Sequence, residues 1–311
     1  MLFRTLLFIP GNNKKFLDKS KSIHPDVLCF DLEDSVPLSE KSIGRDMISQ
    51  TLQSYRNIQN LKGPKDDDNN KNNNNYPEIE TLPPLFVRIN SFESELYEQD
   101  LESIICDPLD GIVIPKVNSE TELEKIITII EKLEKQRNIQ KRLRLIPSIE
   151  SAQGVVNSYE IAKANPRICS LVFGVFDYLH DMKLDYVEDG IEFSYARAKI
   201  PVDARAAGIP ALDSIWQKVA DIVGLQRDAK TAKRLGYAGK SIIHPTHIEP
   251  VHKVFVPSQN EIEWAQKVLA LMTQIQEKGD KRGAFRVDGK MIDAVHVKQA
   301  KFILDLSSKE N

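Results

Sequence analysis

Eight short apolar runs, each followed by a stretch with helical spacing, govern what this chain can fold into. The runs are Phe3–Ile9, Asp26–Asp31, Leu85–Asn90, Gly111–Pro115, Leu143–Ile149, Ser170–Val175, Ile209–Ile215 and Lys240–His244. Near-continuous apolar runs of this length fit strands covered on both faces. Between them, Leu123, Ile126, Ile127, Ile130 and Leu133 recur at three and four residues through Glu120–Gln136, the spacing of one helix face. Alternating strands and helices build a parallel sheet, because only a long crossover returns the chain to the same end. Eight such units in 311 residues predict an α/β fold, a (β/α)8 TIM barrel over 1–257. An open doubly wound sheet is the alternative, but no GxGxxG phosphate loop follows any of the runs. Residues 258–311 exceed what a barrel needs. They predict a C-terminal helical extension: a helix over Glu261–Gln276, a turn at Gly279–Gly283 and a helix over Ile292–Leu306. Such an extension packs on a barrel face or on a neighbouring subunit.

Composition narrows the function. Lys and Arg number 42 against 45 Asp and Glu, a net charge of −3, which argues against a nucleic-acid or polybasic membrane binder. No apolar run approaches the roughly 18–20 residues that span a bilayer. Cys29, Cys106 and Cys169 are far apart and form no CxxC pair, so neither a disulfide framework nor a thiolate zinc site is expected. Met1–Gly11 has no secretory pattern, and no Arg-rich, acid-poor transit peptide is visible. The expectation is a cytoplasmic enzyme. Residues 62–80 (KGPKDDDNNKNNNNYPEIE) hold almost nothing apolar and cannot offset their ordering entropy, so they read as a disordered insertion before the third strand; an interaction tail is the alternative.

In a barrel of this kind the active site lies at the C-terminal ends of the strands. Those ends collect Asp31, Glu33, Asp34, Glu150 and Asp177 with Arg88, Lys116 and Lys15. Carboxylates without a nearby cysteine suit a hard cation such as Mg²⁺. Glu150 and Asp177 end neighbouring strands and form the best ligand pair; ordinary loop acids or helix caps are the plainer alternative. Arg88 interrupts an apolar strand, so its guanidinium must meet a carboxylate or an oxyanion. It is either a structural partner of Glu33 or Asp34, or a clamp on substrate oxygens. Lys15 and Lys19 share a helix face that could grip phosphates or simply face water. His244 and His247 lack the Glu that a zinc helix needs, which leaves His244 a rim hydrogen bond or a core role.

Longer strings carry a family likeness. RTLLFIPGNNKKFLDKS, VLCFDLEDSV, LFVRIN, IPKV, LIPSIESAQG, VFGVFDY, YARAKIPVDARAAGIPALDSI, GYAGKSIIHPTHIEPVHKVFVPS and GAFRVDGKMIDAVHVKQA run in order through the chain. They resemble the citrate lyase β-subunit-like family of the HpcH/HpaI aldolase group, near its citramalyl-CoA and malyl-CoA lyase branch. The resemblance implies Mg²⁺ held by Glu150 and Asp177, and Arg88 at the substrate oxygens. It implies coenzyme A or acyl contacts from Lys15, Lys19, Ile243 and His244. It further implies that Asp293 is the catalytic acid/base, on a tail that completes a neighbouring subunit's site in a homotrimer or dimer of trimers.

The implied activity is Mg²⁺-dependent cleavage of a 3-hydroxy-acyl-CoA, of the citramalyl or malyl type, to acetyl-CoA and a 2-oxo acid such as pyruvate or glyoxylate. The alternatives are malate-synthase-like or thioesterase activity on the same intermediates, a β subunit acting on an acyl-carrier-protein thioester within a complex, and a pseudoenzyme. The resemblance also leaves a mitochondrial location open. Phe8 stands where such proteins often have Tyr, Phe176 where they have Glu or Asn, Lys218 where they have an acid, His247 where they have Gln, and Ser35 where Gly is frequent. These departures bear on the substrate side chain more than on the metal pair. Because loop length costs little free energy, deleting Pro64–Asn75 should shift the thermal midpoint by only about a degree or two and leave activity unchanged. A large loss in either measurement would show that the segment docks.

Overall fold

A computed structural model describes residues 3–61, 82–277, 284–287 and 289–308. The Asn-rich stretch expected to be a disordered insertion, and the turn expected at Gly279–Gly283, lie outside the described residues. The chain divides into two compact units, one ending at Val251 and the other beginning at His252.

The first unit is a closed barrel of parallel strands in sequence order, β1 (Thr5–Pro10), β2 (Val27–Asp31), β3 (Leu85–Arg88), β4 (Gly111–Ile114), β5 (Arg144–Ile149), β6 (Leu171–Phe173), β7 (Ala211–Asp213) and β8 (Gly239–Ile242). All eight expected strands are present, and the open-sheet alternative falls with the β1–β8 pairing of Leu6 with Ser241. Closure is tight at that seam. A Cβ on Gly239 would lie 1.9 Å from the Phe3 carbonyl oxygen, so only glycine lets the first and last strands meet. Helices α1 (Lys14–Lys19), α2 (Lys41–Leu61), α3 (Tyr97–Ile104), α4 (Glu120–Gln136), α5 (Ala152–Lys163), α6 (Val175–Met182), α7 (Ser194–Ala206), α8 (Ile222–Leu235) and α9 (Ile248–Phe255) follow the strands in turn. Their starts are capped locally: Asn13 accepts from Phe16, Ser119 from Glu122, Ser151 from Gly154 and Asp221 from Gly224.

The barrel interior is apolar at its base. Leu6, Val27, Cys29, Phe86, Val113, Ile146, Val172 and Leu212 form one buried cluster, one residue from each of six strands and two from β2. Outside the wall, β7, β8, α7 and α8 enclose an ion-pair network that the sequence reading did not find. Lys240 is fully buried and lies 2.6 Å from Asp213 and 2.5 Å from Asp228; Arg197 lies 2.6 Å from Asp213 and 2.7 Å from Asp228. Two cations and two anions balance, which is the condition for burying charge at all.

The second unit contains α10 (Gln259–Glu277), β9 (Ala284–Val287), β10 (Lys290–Asp293) and α11 (Ala294–Ser308). Ala265, Val268, Val287, Ile292, Val297, Ala300 and Ile303 form its core. The antiparallel β9–β10 ladder is a correction to the helix expected from Ile292: the strands are short and mostly exposed, so they lack a continuous apolar run. No described helix is long and apolar enough to cross a membrane.

Removing one member of the buried network strands the others. Asp213→Ala should cost about 3–5 kcal/mol in urea unfolding, whereas Asp213→Leu combined with Lys240→Met, which removes one charge of each sign, should recover part of that loss. Equal destabilisation by both would mean that the network's charge balance is not what matters.

Candidate active site

The alternation that builds the core also builds the site. In a strand every second residue faces the same side. Cys29 and Phe86 lie in the interior cluster, and two residues on from each come Asp31 and Arg88, register partners at the ends of β2 and β3. Ile146 continues to Ser148 and then Glu150, just past β5. The inward row therefore turns from apolar to polar where the barrel opens. The resulting cavity, ≈ 420 Å³, is lined by Phe8, Asp31, Arg88, Glu150, Phe176 and Asp177 among others.

Arg88 grips Asp31 with two N–H groups, Nε to Oδ1 at 2.6 Å and Nη2 to Oδ2 at 2.8 Å. Its Nη1 lies 3.2 Å from Glu33 and 3.3 Å from Asp34. The expected partners are thus present, and Asp31, which the sequence reading placed on the rim without a role, is the principal one. The guanidinium carbon sits 4.8 Å from the centre of the Phe8 ring, so an apolar face backs the cation. Asp31 also accepts from the Glu33 and Ser35 backbone N–H groups. Burial pushes its carboxyl up, but Arg88, Ser35 and the backbone outweigh it and hold the group at about 2.

Glu33 behaves oppositely. Burial pushes its carboxyl up to about 7, with Asp34 adding to the rise and Arg88 and Lys116 opposing it. Glu150 is buried, and its Oε2 has no hydrogen-bond partner. Burial first, then the charges of Glu33 and Asp177, raise its carboxyl well above the usual range. The side chain is packed against Gly174, where a Cβ would stand 2.5 Å from Glu150 Cγ. Glu150 is not a helix cap, since Ser151 caps α5. Asp177 lies in the first turn of α6, where the helix dipole favours its charge. Lys116 completes the rim at 2.9 Å from Glu33, 3.2 Å from Asp177 and 3.5 Å from Asp34.

These donors fit a hard divalent cation in part. Among the described residues no group of three or more His, Cys, Asp or Glu side chains is arranged to hold a metal. An orphaned, buried carboxylate oxygen on Glu150, facing the charge of Asp177, is however what a cation with one or two protein carboxylates requires, and Mg²⁺ is commonly held so, with water and substrate filling the remaining positions.

Other expected residues sit elsewhere. Ile243 lines the cavity, but Lys15 and Lys19 are exposed on α1 and border a separate surface hollow with Lys14, Asp18 and Ser22. His244 is exposed and pairs with Thr246 Oγ1 at 2.8 Å, a rim hydrogen bond. His247 is buried and bonds the Val219 carbonyl at 3.0 Å. In the second unit Asp293 Oδ1 accepts from the Val295 and His296 N–H groups and lies 2.8 Å from His296 Nδ1. Those contacts, the His296 side chain foremost, lower its pKa.

A parallel barrel with carboxylates and a guanidinium gathered at the C-terminal strand ends has the layout of a (β/α)8 enzyme. The model of the HpcH/HpaI aldolase/citrate lyase family matches residues 4–63 and 75–245, and the chain belongs to that family. It is 35% identical over 310 residues to a citrate lyase subunit beta of Leuconostoc mesenteroides subsp. cremoris, covering 99% of this chain and 94% of that one. It is 30% identical over 315 residues to the mitochondrial citramalyl-CoA lyase of Homo sapiens, covering 98% and 85%. Among solved structures it resembles the protein CitE of Mycobacterium tuberculosis in complex with magnesium, acetoacetate and coenzyme A, with a TM-score of 0.75, 26% identity, and 99% and 98% of the two chains covered.

The raised Glu33 sets a pH dependence. A carboxyl held above its unfolded value of 4.5 contributes stability while protonated and loses that contribution as pH rises through about 7. In chelator the thermal midpoint should fall between about pH 5 and 8, and Glu33→Gln should flatten this limb. An unchanged slope in the variant would place the titration elsewhere.

Proposed function

We propose that this protein is a Mg²⁺-dependent carbon–carbon lyase acting on a 3-hydroxy-acyl-CoA of the citramalyl or malyl type, releasing acetyl-CoA and a 2-oxo acid. The observation that carries this reading is the buried, unpartnered oxygen of Glu150 in one cavity with Asp177 and Arg88. Kinship supports it, since named family members include a citrate lyase subunit and a citramalyl-CoA lyase.

Glu150 and Asp177 are the residues that would hold the metal. When bound, Mg²⁺ supplies Lewis-acid polarisation of the substrate oxygens it holds. Arg88 stabilises the negative charge that passes to the thioester oxygen when the C–C bond breaks and the acetyl-CoA enolate forms. Its grip on Asp31 fixes the guanidinium before substrate arrives, so little reorganisation is needed. Phe8, Phe173 and Phe176 give the cavity an apolar wall that excludes water from the enolate. The substrate's 3-hydroxyl proton leaves to solvent at the cavity mouth as that carbon becomes the ketone, and Asp293 protonates the enolate carbon, or removes that proton in the condensing direction, at the site of a neighbouring chain. Lys15, Lys19, Ile243 and His244 are the proposed coenzyme A and acyl contacts, and the oligomer is a homotrimer or dimer of trimers.

The test is acetyl-CoA release from malyl-, citramalyl- and citryl-CoA with Mg²⁺ and no other protein. Free coenzyme A without acetyl-CoA would indicate thioester hydrolysis instead, and no turnover at all would refute the lyase reading. Glu150→Gln and Asp177→Asn should each fold and lose turnover by at least about a hundredfold, as should the wild type in EDTA. Full activity after exhaustive chelation would refute the metal's role.

Asp293→Asn should retain Mg²⁺ binding and lose turnover by roughly 10²–10⁴-fold, the usual worth of a positioned acid/base. Mixing it with Glu150→Gln protein should restore activity, because a hybrid oligomer pairs an intact metal site with an intact Asp293. Verified subunit exchange without recovery would assign Asp293 to its own chain or to no catalytic role.

A further inference from the structure

Lys116 stands on the cation side of an oxygen that the metal would need. Its ammonium lies 3.2 Å from Asp177 Oδ1, and also 2.9 Å from Glu33 Oε1 and 3.5 Å from Asp34 Oδ1. The residue leaves the end of β4 with φ 52°, in the left-handed region that L-residues seldom adopt. Pro115 and Val117 on either side are buried, and the Val117 N–H donates to the Ser148 carbonyl at 3.1 Å, two residues before Glu150. The backbone is therefore held in an unfavoured conformation that sends this side chain to the mouth oxygens, a pattern found where function over-determines geometry.

The charges around it explain why a cation is needed there. Asp31, Glu33, Asp34, Glu150 and Asp177 face the same mouth, while Arg88 is engaged with Asp31. An ammonium beside Asp177 Oδ1 and a divalent cation on that carboxylate would repel strongly at such separation. We propose that Lys116 is a positioning residue that competes with the metal. It holds Asp177 toward Glu33 and Asp34 while the cation is away, and it gives up Asp177, keeping Glu33 and Asp34, when the cation binds. This rests on the Mg²⁺ reading above. It gives the strained lysine a purpose: part of the metal-free mouth's negative charge stays compensated, and the metal is held loosely enough to exchange.

The experiment is calorimetric titration of the full-length protein with Mg²⁺ alone, without substrate. Lys116→Met, which keeps the length and loses the charge, should bind Mg²⁺ at least about tenfold more tightly than the wild type. Lys116→Arg, which keeps the charge, should stay near the wild-type affinity. In chelator Lys116→Met should melt below the wild type, and saturating Mg²⁺ should narrow that gap. Equal or weaker binding by folded Lys116→Met overturns the competition while leaving the metal site standing. Absence of Mg²⁺ binding by the wild type overturns both. Should Lys116→Met fail to fold, the wild type still decides: acylation of the Lys116 amine, followed by mass spectrometry, should speed up when Mg²⁺ is added. An unchanged rate would overturn the proposal.

Discussion

Closure of the barrel is the constraint on which the rest depends. Once β8 pairs with β1, every second side chain on all eight strands points into one enclosed space. The lower positions can only be filled by apolar groups, because water cannot reach them and their strand carbonyls and N–H groups are already paired. The last inward position on each strand is different. It borders the mouth, so it can carry charge provided the charge finds a partner. Asp31 and Arg88 meet as register neighbours because two adjacent strands end at the same height. The site thus follows from the same period of two that makes the core.

The mouth is held in a state that a purely structural protein would avoid. Asp31 is ionised in the grip of Arg88, whereas Glu33 is pushed toward the protonated form by burial and Asp34, and Glu150 by burial, Glu33 and Asp177. Burying a carboxylate without a partner costs a few kcal/mol, and the fold tolerates it here rather than replacing Glu150 with an apolar residue. Gly174 makes room for that carboxylate beside the next strand's end. Such an unbalanced cluster is stabilised by whatever cation enters it, so binding and local stability are two aspects of one electrostatic fact. The balanced Arg197–Asp213–Asp228–Lys240 network outside the wall makes the contrast: each carboxylate there meets both cations.

How much of this was legible in the sequence depended on range. All eight strands were, six of them as apolar runs that stand out and the last two as weaker runs, and α4 was read to the residue from its five aliphatic positions. The rim residues were legible because they directly follow strands. What escaped were facts of pairing. Arg88 could be seen to need a carboxylate, but Asp31 became its main partner only through strand register. The buried tetrad escaped because Lys240 and Asp213 belong to weak, short strands whose outward faces meet helices far away in the chain. The β9–β10 ladder escaped because its strands bury little, although Asp288-Gly289 between them is a strong hairpin signal.

The proposed proton-transfer role of Asp293, in the second unit, is one that its surroundings must permit. Within that unit its carboxylate opens α11, accepting from two N–H groups of the first turn, with His296 beside it. These contacts stabilise the anion, so in this setting the group is charged and a weaker base than a free carboxylate. On the proposed mechanism the condensing direction needs a base to take a proton from the acetyl carbon, and the anion would have to give up some of these contacts to serve. The cleaving direction needs an acid. Dehydration on burial against another surface, and a nearby enolate, would both raise the pKa, and either would convert the anion into a donor. A carboxylate on an exposed element, if covered when substrate binds, could therefore serve both directions, whereas one buried among the mouth's carboxylates with no cation gripping it would be pushed toward the protonated form, as Glu150 is.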